Sequence, residues 1–190
     1  MDETQPGARM GDYFFGFNVA IEEQAIANLI STVQGAIVSG ATGLTVCLTS
    51  RGGDYAQAAY AYEILSGLPL PVSMHAIGTV RLSAVTLFMA GTRRYAAAGT
   101  DFLLGEAFAG PRLRLDHQEV IALDEVGRVD CLDRLAIERM AKATGRPASE
   151  VTTWLDGKRF LDTEFALDNG IVHEIRPLQI PPGAVFLQIS

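Results

Sequence analysis

Short apolar runs alternate with amphipathic stretches through the first hundred residues, and this alternation constrains the fold more than any other feature of the chain. Tyr13-Phe14-Phe15-Gly16-Phe17 is an aromatic run of strand type. Behind it Ile21, Ala25, Ile26, Leu29, Ile30, Val33 and Ile37 recur at three-and-four spacing, which reads as a helix with one apolar face. Gly40 and Gly43 close that helix, and Leu44 to Thr49 reads as a buried strand ending at Ser50-Arg51-Gly52-Gly53. A second helix spans about Tyr55 to Ser66 and stops before Pro69 and Pro71. Val72 to Ile77 is a third strand, and Gly78 opens a turn into an apolar helix from about Arg81 to Ala90. Strands that alternate with helices are joined by parallel crossovers, so the fold class is α/β.

Arg93 to Ala96 and Phe102 to Leu104 continue the strand pattern, which changes at Gly110-Pro111-Arg112. Asp116 and Glu119 have capping-box spacing, and Val120, Leu123, Val126, Val129, Leu132, Leu135 and Met140 carry a helix to Gly145. At ~1.5 Å per residue it reaches about 40 Å, longer than a small core covers, so part of it is expected against another subunit. A short helix from about Ala148 to Leu155, Phe160-Leu161, a helical turn around Glu164 to Asp168, and a strand from Ile171 to Ile175 follow. Pro181-Pro182 introduces Ala184 to Ile189, apolar enough to seek a sheet edge or a neighbouring chain. The expected organisation is a flexible N-terminal arm over 1–11, one domain over 12–176, and a C-terminal tail over 177–190.

Composition narrows the function classes. A hydrophobic content of 48% with 19% charged residues supports one packed core. The net charge of −7 repels phosphate backbones, so no nucleic-acid partner is expected. The longest mostly apolar stretch, Val72 to Phe88, is interrupted by His75, Gly78 and Arg81 and falls short of the ~20 apolar residues of a membrane span. The polar start has no basic-then-apolar run, so the expected location is cytoplasmic. Cys47 and Cys131 lie in apolar contexts and read as reduced thiols. No C-x-x-C or His-rich spacing indicates a metal, and no cofactor is expected.

Four segments carry a family resemblance. They are Ser50-Arg51-Gly52-Gly53 at the end of a strand, Ile77-Gly78 before a small-residue helix ending Ala90-Gly91, Arg93-Arg94-Tyr95-Ala96, and Phe160-Leu161-x-Thr163-Glu164-x-Ala166-Leu167-x-x-Gly170-Ile171-Val172. In this order and spacing the chain, over roughly residues 12–176, resembles the proteolytic subunit of the Clp protease and its relatives in the crotonase superfamily. The resemblance implies a ββα spiral fold with a long helical arm that interlocks stacked rings. It also implies a Ser nucleophile after the Ile-Gly turn, a His base two strands later and an Asp before the Phe-Leu turn. An alcohol attacks a carbonyl only when a base takes its proton, and the oxyanion needs backbone N–H donors, here from Gly52 and Gly53.

In this sequence the nucleophile position falls on Leu82, the base position on Gly105 and the Asp position on Lys158. None of the three can perform its role. Gly52 and Gly53 remain as oxyanion-hole or peptide-binding residues, or simply as the glycines any tight strand-to-helix turn wants. Ser83 is the alternative nucleophile, although one helical residue turns a side chain by about 100° and is expected to face it away from the turn. The competing reading is a small helix residue bonding to a preceding carbonyl. Glu106, beside the lost base, is similar to the acid/base carboxylate of the acyl-CoA branch, its competing reading being a solvated acid.

His75 reads as a buried, hydrogen-bonded core residue, His117 as a surface residue and His173 as outward-facing. Arg51 beside Asp54 reads as a surface ion pair, and Arg93, Arg94, Arg112 and Arg114 as interface residues. The expectation is therefore a Clp-protease-like protein without its triad, a non-catalytic scaffold or peptide-binding subunit. Its expected partners are further copies of itself, with a ring as one form, a catalytic homologue or an ATP-driven unfoldase, and a peptide ligand. The enzymatic alternatives are a serine peptidase or hydrolase using Ser83, and acyl-CoA-type chemistry at Glu106.

Overall fold

The computed structural model describes residues 11–105, 119–156 and 159–190. Residues 1–10, Glu106, Arg112, Arg114, Asp116, His117 and Lys158, to which the sequence assigned roles, lie outside the described residues.

The chain runs β1 (Asp12–Phe17), α1 (Glu23–Val38), β2 (Gly43–Ser50), α2 (Tyr55–Ser66), β3 (Val72–Arg81), α3 (Ser83–Phe88), β4 (Arg93–Ala96) and β5 (Asp101–Leu104). It continues as α4 (Glu119–Thr144), α5 (Ala148–Leu155), β6 (Arg159–Leu161), α6 (Thr163–Asp168), β7 (Glu174–Ile175) and β8 (Val185–Ile189). The strands form one sheet in the order β6-β5-β3-β2-β1-β8, with β4 beside β3 and β7 beside β4. All pairings are parallel except β5 with β6. The alternation of strands and helices through α3 thus produces the crossover architecture it implied.

Side-chain alternation sorts the sheet into two faces. Phe15, Phe17, Val46, Leu48, Met74 and Ala76 are buried and share the core with Ile26, Leu29 and Val33 of α1, Leu65 of α2, and Leu87 and Phe88 of α3. Gly16, Cys47, His75 and Tyr95, in register across four strands, belong to the opposite face.

Strand β3 departs from the sequence reading. It does not end at Ile77 but continues to Arg81, and the following helix is only Ser83–Phe88. The register moves from Leu48↔Ala76 to Ser50↔Val80, so β3 inserts extra residues around Gly78, whose φ of +72° a side chain would resist. The bulge bends the strand. Ser73 to Ala76 pair with β4, whereas Thr79 to Arg81 pair with β5. The ends of β2 and β5 and the start of α3 thereby meet at one corner.

The end of the chain and Arg94 also differ from the sequence reading. The last strand is β7, Glu174–Ile175 alone, because Ile171 and Val172 turn into the core. The apolar end of the tail takes a sheet edge, one of the two places expected for it: it pairs as β8 alongside Tyr13 to Phe17. Arg94, read as an interface residue, is 3% exposed. Its guanidinium donates to the carbonyls of Ile171 (2.8 Å), Gly91 (2.9 Å), Ala143 (2.7 Å) and Gly170 (2.9 Å), joining the ends of α3, α4 and α6. Helix α4 also leans on α2, where Arg139 pairs with Glu63 at 2.7 Å and covers the Tyr62 ring at 4.8 Å. No helix among the described residues is long and apolar enough to cross a membrane.

Candidate active-site corner

The turn after β2 is fixed by backbone and hydroxyl bonds. Ser50 Oγ donates to the Val19 carbonyl at 2.7 Å and accepts from the Gly52 N–H at 3.2 Å. The Ile21 N–H donates to the Gly52 carbonyl at 3.0 Å, and the Asp54 N–H to the Ile21 carbonyl at 2.8 Å. These bonds press the turn against its neighbours. A Cβ on Gly52 (φ +88°) would stand 2.6 Å from the Arg81 carbonyl and 3.2 Å from Leu82 Cβ, and one on Gly53 would run into the Ile21 backbone. Packing alone therefore requires both glycines. Only the Gly53 N–H lacks an acceptor among the described residues, since Ser50 holds that of Gly52.

Asp54 is not the partner of Arg51. Its carboxylate caps α2, accepting from the N–H groups of Ala56 (2.7 Å) and Gln57 (3.1 Å). Arg51 is exposed and has no ion pair among the described residues.

Leu82 occupies the tightest point of the corner, with φ 52° and ψ −121°. Among the described residues it alone, apart from glycines, has positive φ. Such a conformation costs about 1–3 kcal/mol and persists only where the surroundings over-determine it. Here the Leu82 N–H donates to the Leu103 carbonyl at 2.7 Å, its own carbonyl accepts from Val85 N–H at 2.9 Å, and Gly52 abuts Arg81. The resulting sharp strand-to-helix turn projects a partly exposed leucine where the resemblance assigns the nucleophile.

Ser83 corrects an expectation. Its hydroxyl does not face away from the turn: Oγ lies 3.2 Å from where a Gly52 Cβ would stand, is fully buried, and has no hydrogen-bond partner. Nor does it bond to a preceding carbonyl. Gly105, at the base position, is buried and offers only its carbonyl, which accepts from Tyr55 Oη at 3.0 Å. The sequence reading missed Tyr55. At the start of α2, it stands against the residue that would carry the imidazole. Burial first, and the Asp133 carboxylate second, hold its phenol far above the ordinary value, so it is a donor and not a base.

Neither of the two described histidines supplies a base at this corner. His75 belongs to the sheet face opposite the one on which α3 packs. It is buried as expected, but its Nε2 has no partner, and burial followed by Arg176 lowers its pKa. His173 is not simply outward-facing: Nδ1 accepts from the Arg94 N–H at 3.1 Å and Nε2 lies 2.9 Å from Arg94 Nη2. Its pKa is also lowered, by burial and then by Arg94 and Arg93. Cys47 is buried, which pushes its thiol up to about 11 and removes it as a nucleophile.

The Clp protease family model matches residues 18–178. The chain belongs to the Clp protease family. A ClpP1 variant from Listeria monocytogenes shares the fold of this Clp-family chain, with a TM-score of 0.75 over 90% of this chain and 93% of that one at 18% sequence identity. A search of curated proteins finds no match to its sequence. Chemically, the described part of this corner offers the Gly53 N–H, the first N–H of α3 at Ser83 and the buried Ser83 hydroxyl, while the Tyr55 phenol is spent on the Gly105 carbonyl. It can hold a carbonyl or carboxylate oxygen, and it contains no group that takes a proton from a hydroxyl at neutral pH.

Proposed function

We propose that this Clp-family protein is a non-catalytic subunit, a self-associating scaffold that holds peptide without cutting it. One observation carries the reading: the strained turn at the nucleophile register is kept with a hydrocarbon, Leu82, mounted on it, while Gly105 presents no side chain and Tyr55 is bonded in its place. Losing nucleophile and base together lowers a hydrolytic rate by orders of magnitude. Self-association, with a ring as one form, is supported by the family and by the half-exposed apolar residues Val185 and Phe186 of β8 and Phe160 of β6. A catalytic homologue or an ATP-driven unfoldase would be the partner that gives such a scaffold work to do.

A serine hydrolase using Ser83 is the second reading, favoured by the unpartnered Oγ beside Gly52. Among the described residues it finds no base, since His75 lies across the sheet and His173 is engaged by Arg94. Acyl-CoA chemistry at Glu106 would show as a thermal shift with CoA esters.

The test is incubation of the purified protein with fluorescent peptides and unfolded casein. The expected outcome is peptide binding by anisotropy with no cleavage above buffer, and an assembly larger than a monomer by native mass spectrometry. Turnover that disappears in Ser83→Ala would overturn the reading.

A further inference from the structure

Nine residues, 176–184, connect β7 at one side of the sheet to β8 at the other. To get there the chain passes β4, β3, β2 and β1. Five strand spacings of about 4.8 Å make roughly 24 Å, within reach of nine residues at ~3.3 Å each. Its contacts identify the face it crosses. At the start, the Arg176 guanidinium stacks 3.5 Å from the centre of the Tyr95 ring and the Arg176 N–H donates to the Ala96 carbonyl at 2.9 Å. At the end, Phe186 reaches over Gly16, where an added Cβ would meet its Cζ at 2.8 Å. Gly16 and Tyr95 are the two ends of the row Gly16-Cys47-His75-Tyr95 on the face that the helices leave bare. His75 is nonetheless only 2% exposed and Cys47 7%.

We propose that residues 176–184 form a strap over this second face of the sheet, and that a proton on His75 opens it. Arg176 lies beside the His75 ring, which stands 6.1 Å from the Tyr95 ring between centres, while Nε2 is buried without a partner among the described residues. A proton arriving at Nε2 would therefore be a buried charge with no acceptor. Among the described residues the charged group that acts on it is a cation, Arg176. Cys47 from β2 stays a thiol, Tyr95 comes from β4, and the strap brings the Arg176 cation. Glu174 of β7 lies 3.6 Å from the Arg176 guanidinium and so is paired with that cation.

The direction comes from linkage. His75 has a folded-state pKa below 6.5, through burial and then Arg176, so the closed strap is at full strength above that pH and weakens as pH falls below it. Opening would uncover Phe14, Cys47 and Tyr95 and free the β1 edge that β8 occupies. The strap does not depend on whether the Leu82 corner is catalytic.

Hydrogen exchange on the full chain at pH 7.5 and pH 5.0, corrected for intrinsic rates, tests this. Peptides spanning 176–190 are expected to exchange at least about tenfold faster at the lower pH, with α1 and β2 unchanged, and His75→Gln is expected to abolish the response. Equal protection at both pH values overturns the proposal, and so does an acid response that survives in His75→Gln, which would assign it to His173. If that variant does not fold, Arg176→Gln takes its place. A strap looser at pH 7.5 with a smaller acid response supports the proposal, and an unchanged response contradicts it.

Discussion

The two ends of α3 treat buried polarity in opposite ways. Beyond its C-terminal end, the Arg94 guanidinium is almost fully buried yet donates to four carbonyls from three parts of the chain. At its N-terminal end, Ser83 Oγ is buried with no partner, beside a leucine in a strained conformation. The first end is a structural knot in which a charge, its pKa lowered by burial to about 10, stays compensated by hydrogen bonds. The second keeps backbone shape at a cost in strain and unmet bonding, which stability alone does not call for.

The largest expected effect breaks the knot. Arg94→Met leaves four carbonyls without their donor and should lower unfolding stability by about 3–5 kcal/mol, read by urea denaturation. A loss below about 1 kcal/mol would show that water replaces the guanidinium. Next comes Gly52→Ala, whose Cβ would sit 2.6 Å from the Arg81 carbonyl at a φ of +88°. A cost of about 2–3 kcal/mol is expected, a melting temperature lower by roughly 4–12 °C at this size. If the variant melts like the parent, the turn is not pressed on β3 as described. The smallest effect sharpens the contrast: Ser83→Ala should be neutral or stabilising by up to about 1 kcal/mol, because an unpartnered buried hydroxyl is removed. Destabilisation of more than about 1 kcal/mol would mean that the hydroxyl bonds to something and that the two ends are alike.

The acid limb adds a prediction about the whole molecule. His75 and His173 both have pKa values lowered by burial and neighbouring arginines, so the folded chain resists protons that the unfolded chain takes up below about 6.5. Stability should be flat near neutrality and fall as pH drops through 6 to 5, read by denaturation midpoints. A rise over that interval would contradict the direction of both shifts.

The order of strands and helices was legible because apolar spacing records which faces are buried. The family was legible because its turns carry sequence marks such as Ser50-Arg51-Gly52-Gly53. Four features were not. Gly78 looked like the end of a strand, but a bulge and a turn both call for glycine, and only the pairing partners distinguish them. The orientation of Ser83 was misjudged because the 100° rule holds within a helix, whereas Leu82, at φ 52°, lies outside α3 and redirects the chain as it enters the helix. Arg94 looked like an interface residue because its compensation is by carbonyls from distant segments, which carry no mark in the sequence. Tyr55 escaped notice for the same reason, since its partner Gly105 is fifty residues away.

The most direct test of the proposal that this corner activates no serine is a fluorophosphonate probe, which forms a covalent adduct with an activated serine and not with an inert one. Intact-mass measurement of the assembled protein after exposure should show no adduct. A single stoichiometric adduct that vanishes in Ser83→Ala would contradict the account.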